Sequence, residues 1–452
     1  MDDIIKHFKN GFKEAEAKRT SQRRIGAELK FPVVNDKGAA VGKESIKELW
    51  KFLNEKGWNI NKDPVSKEVV GAVKPGPLND TLASCETGYC KVEFSLAHVA
   101  DIHELINMIV NLRKQLKEFS DQTGNYFLGY GIHPVTPPSK MLKMDKARNI
   151  FWDKIFGANN YIPPEDGDDV HLFTVSASSQ VHLDVSMKEA VKAVNIFNGF
   201  SGAQLALTAN SNIWKGCLDK EYRCVGERFW DWWDPEESRY GIPPKKFKNL
   251  DDYIRTVAEM SPVYVERDGV PIGMYHYDTF KEYYKDSEKP HGITAEGEKV
   301  PLTPEKEDID QHSTFYWYNA RISRYYTLEN RMNDQQPPED LHVIAALSLG
   351  IISALNEAEE VVKAHNWKHI RETRIAACKK AMQAKNSPIP IIKFARELLS
   401  ISEKGLKQRG LGEEKYLEPL KERIKNKICP ADEAEKIYHS QGIPGLVKER
   451  RL

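Results

Sequence analysis

The sequence has little cysteine and no excess of charge of either sign. Six cysteines in 452 residues are too few for a disulfide framework in a chain of this length. No two of them have the CxxC spacing of a zinc site, so we expect reduced thiols and no structural zinc. The 66 basic residues equal the 66 acidic ones, which excludes a bulk attraction for nucleic acid and predicts no nucleic-acid partner.

Long hydrophobic runs are also missing. No apolar stretch approaches the roughly 18 residues that span a bilayer, so we expect no membrane partner. The first 19 residues mix both charge signs and lack the apolar core of a secretory signal. This pattern predicts a cytoplasmic protein in which any phosphate site is a local cluster of residues.

Three common nucleotide and hydrolase motifs are absent. The sequence has no GxxxxGK(S/T) loop, no GxGxxG turn after a strand and no GxSxG segment. These absences exclude a P-loop site, a Rossmann dinucleotide site and the nucleophile elbow of an α/β-hydrolase.

Four short segments alternate apolar and polar residues with the period of two that is typical of half-buried strands. They are residues 26–31, 91–96, 180–185 and 327–332. Asn330 weakens the apolar side of the fourth segment. The alternation predicts strands that each have one apolar and one polar face.

Helical patterns separate these strands. Apolar residues recur at helical spacing over 101–119, and Ser186 with Glu189 three residues later forms a capping-box signature that opens a helix over 187–199. Residues 340–364 are apolar almost all round at first, which predicts one long and largely buried helix.

The last quarter of the chain shows only helical patterns. They are interrupted near Pro388, Gly410 and Pro430. Strands interleaved with helices, followed by a helical tail, favour an α+β protein. We predict a catalytic sheet-and-helix domain over 1–337 and a helical C-terminal region over 338–452 that packs on the same domain.

The polar faces of the four predicted strands carry an unusual set of side chains. Carboxylates and an imidazole are ligands for divalent cations, and basic groups engage phosphate oxygens. If the strands are neighbours in one sheet, their carboxylates converge and repel unless cations lie among them, which favours Mg²⁺ or Mn²⁺. The side chains concerned are Glu28, Lys91, Glu93, His182, Asp184, Glu329 and Arg331.

A segment rich in glycine, proline and basic residues spans 129–149. It contains Lys140, Lys143, Lys146 and Arg148 and must be mostly loop. Two interpretations remain open at this point: a solvated basic loop, or a loop that binds an anion.

A tryptophan-rich segment spans 228–241. Its three tryptophans, Trp232 among them, are flanked by Arg228 and Arg239. The tryptophans either pack in the core or form a wall that presents the arginines to a carboxylate or a nucleotide. Arginine suits either anion because its planar fork binds two oxygens at once.

Six segments, taken in order, resemble the glutamate–cysteine ligase family of plants and many bacteria, together with the related carboxylate–amine ligases. The resemblance covers about residues 24–350, and the helical tail contributes little to it. The segments are RIGAELKF (24–31), CETGYCKVEFS (85–95), the GYGIHP loop ending at Arg148, SSQVHLDVS (178–186) with ALTANSNIWKG (206–216), the Arg228…Trp232…Arg239-x-Gly pattern, and RYYTLENRMND (324–334).

The chain departs from the family pattern at several positions. Lys30 stands where the family has the second Glu of its Gly-x-Glu-x-Glu strand, so one expected metal ligand is missing or supplied elsewhere. The interval from Glu86 to Glu93 is one residue longer than expected. Asn149 replaces a Tyr, and His182 replaces the Asn of the plant-type strand, as in the carboxylate–amine ligase branch. These departures affect the acceptor substrate more than the reaction type.

The resemblance implies a curved, mainly antiparallel sheet of the glutamine-synthetase and guanidino-kinase type, with flanking helices. It implies a ligase that uses ATP and Mg²⁺ (or Mn²⁺) to join glutamate to cysteine through γ-glutamyl phosphate. The expected partners are therefore small molecules: ATP, glutamate, and cysteine or another amine. The sequence does not fix the oligomeric state.

The resemblance also implies roles for individual residues. Metal ligands are expected at Glu28, Glu86, Glu93, His182 and Glu329. Catalytic contacts to phosphate are expected from Arg331 and Arg148. Substrate or ATP contacts are expected from Arg228, Trp232, Arg239, Lys140 and Gln180.

Three alternatives remain open from the sequence. The ligase chemistry could serve a different amine or amino acid. A guanidino kinase, which transfers phosphate to nitrogen, ranks low because the segments follow the ligase pattern. A non-catalytic relative could retain the sheet and bind a ligand through the tryptophan-rich segment, and Lys30 favours this alternative.

Overall fold

The computed structural model describes residues 1–20, 22–77, 79–155, 167, 169–233, 239–285 and 290–452. Its helices are α1 (Asp2–Ala17), α2 (Lys43–Glu55), α3 (Ile102–Thr123), α4 (Trp152–Ile155), α5 (Ala190–Gly199), α6 (Ser201–Thr208), α7 (Val225–Trp233), α8 (Leu250–Ala258), α9 (Phe280–Lys285), α10 (Lys306–His312), α11 (Val343–Ser353), α12 (Leu355–Lys363), α13 (Trp367–Lys380), α14 (Ile391–Arg409), α15 (Glu418–Asn426) and α16 (Pro430–Arg450).

The strands are mostly short and occupy the first three quarters of the chain. They are β1 (Ile25–Val34), β2 (Asn59–Lys62), β3 (Val69–Lys74), β4 (Thr81–Cys85), β5 (Lys91–Ser95), β6 (Tyr126–Phe127), β7 (Ser178–Asp184), β8 (Ile213–Trp214), β9 (Cys217–Leu218), β10 (Tyr240–Gly241), β11 (Tyr264–Arg267), β12 (Val270–Gly273), β13 (His291–Ile293), β14 (Lys299–Pro301), β15 (Trp317–Tyr318), β16 (Ala320–Ile322) and β17 (Thr327–Asp334).

The described residues form one large antiparallel sheet. Its strand order is β16–β17–β7–β1–β5–β4–β3–β2, and β6 pairs with the end of β1. All four strands predicted from the period-two patterns are confirmed, and they are consecutive neighbours, β17–β7–β1–β5, in the middle of the sheet. β10–β15, β8–β9 and β11–β14 form three smaller sheets.

Helices cover the apolar face of the sheet. α11 packs against β7 and β1, and α6 packs against β17. Residues 343–352 are all buried, because a helix that is apolar on every side is stable only inside a core. The helices of 338–452 contribute to the same hydrophobic core as the sheet. The division of the chain at residue 337 stays a prediction.

The prediction of one helix over 340–364 is wrong. Two helices, α11 and α12, meet at Ala354 and are bent by 87°. The reason is a change of pattern: α11 is apolar all round, whereas α12 is amphipathic and buries only Leu355, Ala358 and Val362. The bend lets α12 lie against α5 with its charged side in solvent.

The other predicted helices are confirmed with small shifts. The helix predicted over 101–119 is α3, whose N-cap Asp101 accepts a hydrogen bond from the backbone N–H of Glu104. The helix predicted to begin at 187 begins at Ala190, after a turn in which Ser186 and Glu189 bond each other. All six cysteines are free thiols, and only Cys217 is exposed.

No single helix of the described residues is long and apolar enough to cross a membrane. The bent pair Pro338–Ser353 and Leu355–Lys363 meets that criterion jointly, by length and composition alone.

A close helix crossing gives a prediction about stability. α11 and α14 approach so closely that a Cβ on Gly405 would lie 2.0 Å from the Gly350 carbonyl oxygen. We therefore expect Gly405→Ala to lower the free energy of unfolding by at least about 1–3 kcal/mol, because the clash is with backbone that cannot move aside. Urea unfolding followed by circular dichroism measures this difference.

Gly42 offers a matched control. A Cβ at that position would meet nothing within 4 Å, and its φ of −77° suits any residue. Gly42→Ala is expected to change the free energy of unfolding by less than about 1 kcal/mol. Equal effects of the two substitutions would contradict the close crossing.

Candidate active site

The polar faces of the four central strands lie on one side of the sheet. Because cross-strand neighbours in an antiparallel sheet point to the same face, opposed residues bring their side chains together. The directly opposed pairs are Lys30 with Glu93, Glu28 with Gln180, and His182 with Glu329.

A cavity of about 360 Å³ opens on this face. That volume is within the range of small-molecule sites. Eight of the residues predicted from the sequence line it: Glu28, Glu86, Glu93, Arg148, Gln180, His182, Glu329 and Arg331.

Glu28, His182 and Glu329 form a compact group of potential metal ligands. One ligand atom from each lies within 4.8 Å of the other two. The Nε2 atom of His182 lies 2.9 Å from Glu28 Oε1, and its Nδ1 lies 3.0 Å from Thr327 Oγ1. Within the described ranges, this is the one cluster of three such residues with that spacing. Two carboxylates and an imidazole are a donor set that fits Mg²⁺ or Mn²⁺.

The charges within this group stabilise one another. Burial opposes ionisation of Glu28, but the hydrogen bond with His182 and the charge of Lys30 outweigh it, and the pKa of Glu28 lies below its ordinary value. Burial likewise opposes protonation of His182, yet Glu28 and Glu329 raise the pKa of the imidazole. The group therefore holds its charges without an ion present.

Glu329 lies between two arginines. The Nε atom of Arg321 donates to Glu329 Oε2 at 2.7 Å, and Arg331 forms an ion pair with Oε1. Burial opposes the charge of Glu329, but the two guanidinium groups outweigh it and hold the carboxyl pKa well below its usual range. Arg331 also donates to Gln180 Oε1 at 3.3 Å, which fixes its orientation in the cavity.

Lys30 lies among three carboxylates. Its Nζ is 2.8 Å from Glu93 Oε2 and 3.7 Å from oxygens of both Glu28 and Glu86. The side chain is only 10% exposed. Burial lowers the pKa of the ammonium, but the carboxylates of Glu86, Glu93 and Glu28 outweigh burial and raise it.

The pKa values of Glu93 and Glu86, two of the carboxylates beside Lys30, are shifted in opposite directions. Burial, together with the neighbouring Glu28 and Glu86, raises the pKa of Glu93 to about 7 despite Lys30. Burial also opposes ionisation of Glu86, but Lys30 and a hydrogen bond with Glu93 hold its pKa well below the ordinary value. The Arg148 guanidinium lies 3.7 Å from Glu86 and adds to this effect. Of the two carboxyl groups, Glu93 therefore holds a proton more readily than Glu86.

The loop over 129–149 contributes unequally to the cavity. Most of it is loop as predicted, with two short 3₁₀ turns at Lys140–Leu142 and Ala147–Asn149. Arg148 lines the cavity. The Lys140 side chain is 68% exposed and pairs with Asp153 at 3.4 Å, outside the cavity lining. The structure thus does not bring Lys140 to the predicted position, because the turn containing it projects into solvent.

The residues of the tryptophan-rich segment differ in whether they line the cavity: Trp230 does, and Arg228 does not. Arg228 pairs with Asp219 at 3.4 Å and stacks over the Tyr222 ring, and it is not among the cavity-lining residues. α7 turns Glu227 and Trp230 toward the cavity, so Arg228, one residue further round the helix, projects from another face.

Arg239 lies outside the cavity lining as well. Its Nη2 donates to the Ser261 carbonyl at 2.7 Å and to the Ser261 hydroxyl at 3.0 Å. The side chain of Trp232 lies outside the described residues. The substrate contacts expected from Arg228, Trp232 and Arg239 stay predictions, and the contacts of the two arginines do not support them.

Sequence reasoning missed Arg321 and Trp317, which forms an aromatic wall of the cavity together with Trp230 of the tryptophan-rich segment. The sequence did contain a sign of Arg321. Arg321 and Glu329 are each four residues from Tyr325, and in a hairpin centred there they face each other across β16 and β17. The wall is a stack of Trp230 and Trp317, whose ring centroids are 5.7 Å apart at 25°. The two tryptophans are distant in sequence, so no local pattern indicated that they stack.

Asp334 gives a prediction about pH. It lines the cavity and accepts hydrogen bonds from the Asn210 backbone and the Ser211 hydroxyl, yet burial raises its pKa to about 7. The folded state therefore keeps a proton that the unfolded chain releases near pH 4, and this residue's contribution to stability is lost as pH rises to about 7. Asp334→Asn should remove that loss.

Urea unfolding at pH 5 and pH 8 measures the effect. Relative to wild type, Asp334→Asn is expected to gain stability by about 1.4 kcal/mol per pH unit across the part of this window below pH 7. Asp121→Asn, at an exposed position on α3, is the control and should follow the wild type. A constant difference between Asp334→Asn and wild type at the two pH values would contradict the raised pKa.

Comparison with known proteins gives a family match and curated relatives. The family model described as glutamate-cysteine ligase family 2 matches residues 24–449. The chloroplastic glutamate–cysteine ligase of Medicago truncatula is 23% identical over 363 residues, which are 77% of this chain and 66% of that enzyme. The Nicotiana tabacum enzyme is 22% identical over 97% of this chain and 80% of its own length. The chain thus spans about two thirds of the first of these relatives.

A solved structure supports the fold. The glutamate–cysteine ligase of Francisella tularensis, determined in complex with AMP, gives a TM-score of 0.58 at 10% identity and covers 96% of this chain and 88% of that one. At this identity the likeness concerns the fold alone. Together with the antiparallel sheet and its helices, it confirms the predicted α+β fold class.

The comparisons contradict the prediction of a cytoplasmic protein, because the curated relatives are named as chloroplastic enzymes. The charge pattern of the first 19 residues tests only for a secretory signal, which differs in composition from a plastid address. The resemblance drawn from the six segments is confirmed by the family match, which also supports an enzyme that forms a C–N bond. The chain belongs to glutamate–cysteine ligase family 2.

Proposed function

We propose that the protein is an ATP-dependent carboxylate–amine ligase that joins glutamate to cysteine through γ-glutamyl phosphate. The observation that carries the proposal is the convergence of eight predicted polar residues from separate segments on one 360 Å³ cavity. Family membership supports the same activity, and so does the AMP bound to the Francisella enzyme.

The residues present fit a divalent cation. Glu28, His182 and Glu329 would hold it, since their donor atoms already lie within 4.8 Å of one another. Mg²⁺ or Mn²⁺ at such a site neutralises phosphate charge and aligns the triphosphate when bound. An ion held by these three side chains would take water and phosphate oxygens as its other ligands.

Two arginines are placed to bind phosphate oxygens. Arg331 lines the cavity and is oriented by Glu329 and Gln180. Arg148 enters from the 129–149 loop, and its side chain is 47% exposed toward the opening. A guanidinium presents two parallel N–H donors and a positive charge. These suit the paired oxygens and the negative charge of a phosphoryl group during transfer.

The reaction that these residues serve has two steps. The γ-carboxylate of glutamate attacks the γ-phosphorus of ATP, which gives γ-glutamyl phosphate and ADP. The amine then attacks the acyl carbon, phosphate leaves with the bonding pair, and the amine loses a proton as the amide forms. Phosphoryl transfer depends on alignment and charge neutralisation rather than on a covalent protein group, and the cavity supplies both.

The acceptor amine is the least constrained part of the proposal. The stacked Trp230 and Trp317 form an apolar wall in the cavity, whose planar faces would accept an adenine ring or a cationic amine. Two alternatives to the proposed activity are a ligase for another amine and a relative that binds ligand without turnover. One experiment distinguishes all three.

That experiment combines the protein with ATP, Mg²⁺ and glutamate, and adds cysteine or one of a panel of amines. ADP, phosphate and the amide product are measured by coupled assay and mass spectrometry. Phosphate release with γ-glutamylcysteine formation supports the proposal. An amide with a different amine identifies another ligase, and the absence of turnover with every amine refutes the ligase activity.

A further inference from the structure

Lys30 lies within an acidic cluster formed by Glu28, Glu86, Glu93 and Glu329. It projects from β1 into the space bounded by Glu28, Glu86 and Glu93, and its Nζ lies within 3.7 Å of an oxygen of each. Three convergent carboxylates form the kind of oxygen-rich site that a hard divalent cation occupies. Here a protein ammonium group already occupies that space.

Every carboxylate of the acidic cluster has a basic partner in the protein. Its four carboxylates are Glu28, Glu86, Glu93 and Glu329, and each has a cationic side chain within 3.7 Å. Those partners are Lys30 for the first three, Arg148 also for Glu86, and Arg321 with Arg331 for Glu329.

The presence of Lys30 in place of the family's Glu changes the local charge by as much as one divalent ion would. Lys30 stands where the family pattern has the second Glu of Gly-x-Glu-x-Glu, so the local charge changes from minus one to plus one. A rise of two units equals the charge of one Mg²⁺. An ammonium ion cannot coordinate phosphate oxygens as Mg²⁺ does, because it bonds through three hydrogens at longer distances.

We propose that Lys30 replaces one divalent cation, so that the chain binds its remaining ion at Glu28, His182 and Glu329 and none between Glu86 and Glu93. The inference rests on the proposed function for the role of the cluster, but it concerns ion binding and can be tested without turnover. Because Glu28 belongs to both groups, the ammonium of Lys30 limits how much positive charge the neighbouring ion site accepts.

The test is a titration of the full chain with Mn²⁺, followed by the electron paramagnetic resonance signal of the free ion. Wild type is compared with Lys30→Glu, Lys30→Met and the charge-preserving Lys30→Arg. Lys30→Glu and Lys30→Met are expected to bind about one additional Mn²⁺ per chain, since they remove the ammonium that lies among the three carboxylates. Lys30→Arg is expected to bind the wild-type number.

A second comparison uses the wild-type lysine and guards against variants that fail to fold. Glu329→Gln is expected to weaken Mn²⁺ binding at least about tenfold, whereas Glu93→Gln is expected to leave it unchanged because Lys30 occupies that space. Equal weakening by the two substitutions would overturn the proposal. So would folded Lys30→Glu and Lys30→Met proteins, verified by circular dichroism, that bind no additional ion.

The outcome is independent of the ligase assay. A protein that gains an ion on Lys30→Glu but ligates no amine would refute the proposed function and support the replacement. A ligase whose Mn²⁺ count is the same in every Lys30 variant would retain the proposed function and refute the replacement.

Discussion

Glu329→Gln is expected to lower the rate of ATP-driven phosphate release by at least about 1,000-fold. Glu329 is the one member of the Glu28–His182–Glu329 group that also forms an ion pair with Arg331, the arginine that we propose binds phosphate. The neutral amide would remove a proposed metal ligand and an ion-pair partner in one substitution. The two losses act on the same charge, that of the transferred phosphoryl group, and so affect the chemical step directly.

The same substitution is expected to lower stability. The Glu329 side chain is 3% exposed and compensates the buried Arg321 and the partly buried Arg331. Removing one partner of a buried ion pair costs about 3–5 kcal/mol, because the remaining charge has no compensation. Activity must therefore be measured at a temperature where circular dichroism shows the variant to be folded.

Glu339→Gln is the matched control. Glu339 pairs with Arg113 at 2.6 Å, but its side chain is 82% exposed and lies outside the cavity. A surface pair contributes at most about 1 kcal/mol, and we expect wild-type phosphate release. Full activity in folded Glu329→Gln would remove this residue from the ion site and from the mechanism.

Arg331→Lys is expected to lower kcat by about 100- to 1,000-fold, with a smaller change in the KM for ATP. Lysine keeps the positive charge but loses the planar guanidinium, whose Nη1 contacts both Glu329 and Gln180 while the group faces the cavity. Because the phosphoryl group gains charge stabilisation chiefly in the transition state, the loss should be in kcat.

Steady-state kinetics of ADP release at varied ATP and glutamate separate these effects. Arg113→Lys, the same replacement in the exposed pair with Glu339, is the control and should leave both constants unchanged. An Arg331→Lys enzyme with wild-type kcat would show that Arg331 only positions Glu329. A large rise in KM with constant kcat would assign Arg331 to ground-state binding.

Much of the site was predictable because β-structure imposes a period of two. Alternation on each strand placed Glu28, Glu93, His182 and Glu329 on polar faces, and the structure brings all four to one cavity. Alternation says nothing about residues on helices and turns. Arg228, which was expected from the family pattern instead, lies on α7 and pairs with Asp219, and its role in substrate binding stays a prediction.

The helical part of the fold shows the same limit. Apolar content correctly predicted that residues 343–352 are buried, but it predicted one helix where there are two. The pattern changes from apolar all round to amphipathic where the two helices meet, but the direction that α12 takes depends on its contact with α5. That contact is with a distant segment of the chain.

The sequence by itself determined the four central strands β1, β5, β7 and β17, the polar face of each one, and the family. These follow from local periodicity and from the order of motifs, which the chain carries before it folds. Tertiary structure alone decided that β17, β7, β1 and β5 are neighbours and that Lys30 lies among three carboxylates. The physical reason is that pairing between distant strands, and the balance of buried charges it creates, depend on distances in space that a one-dimensional pattern does not contain.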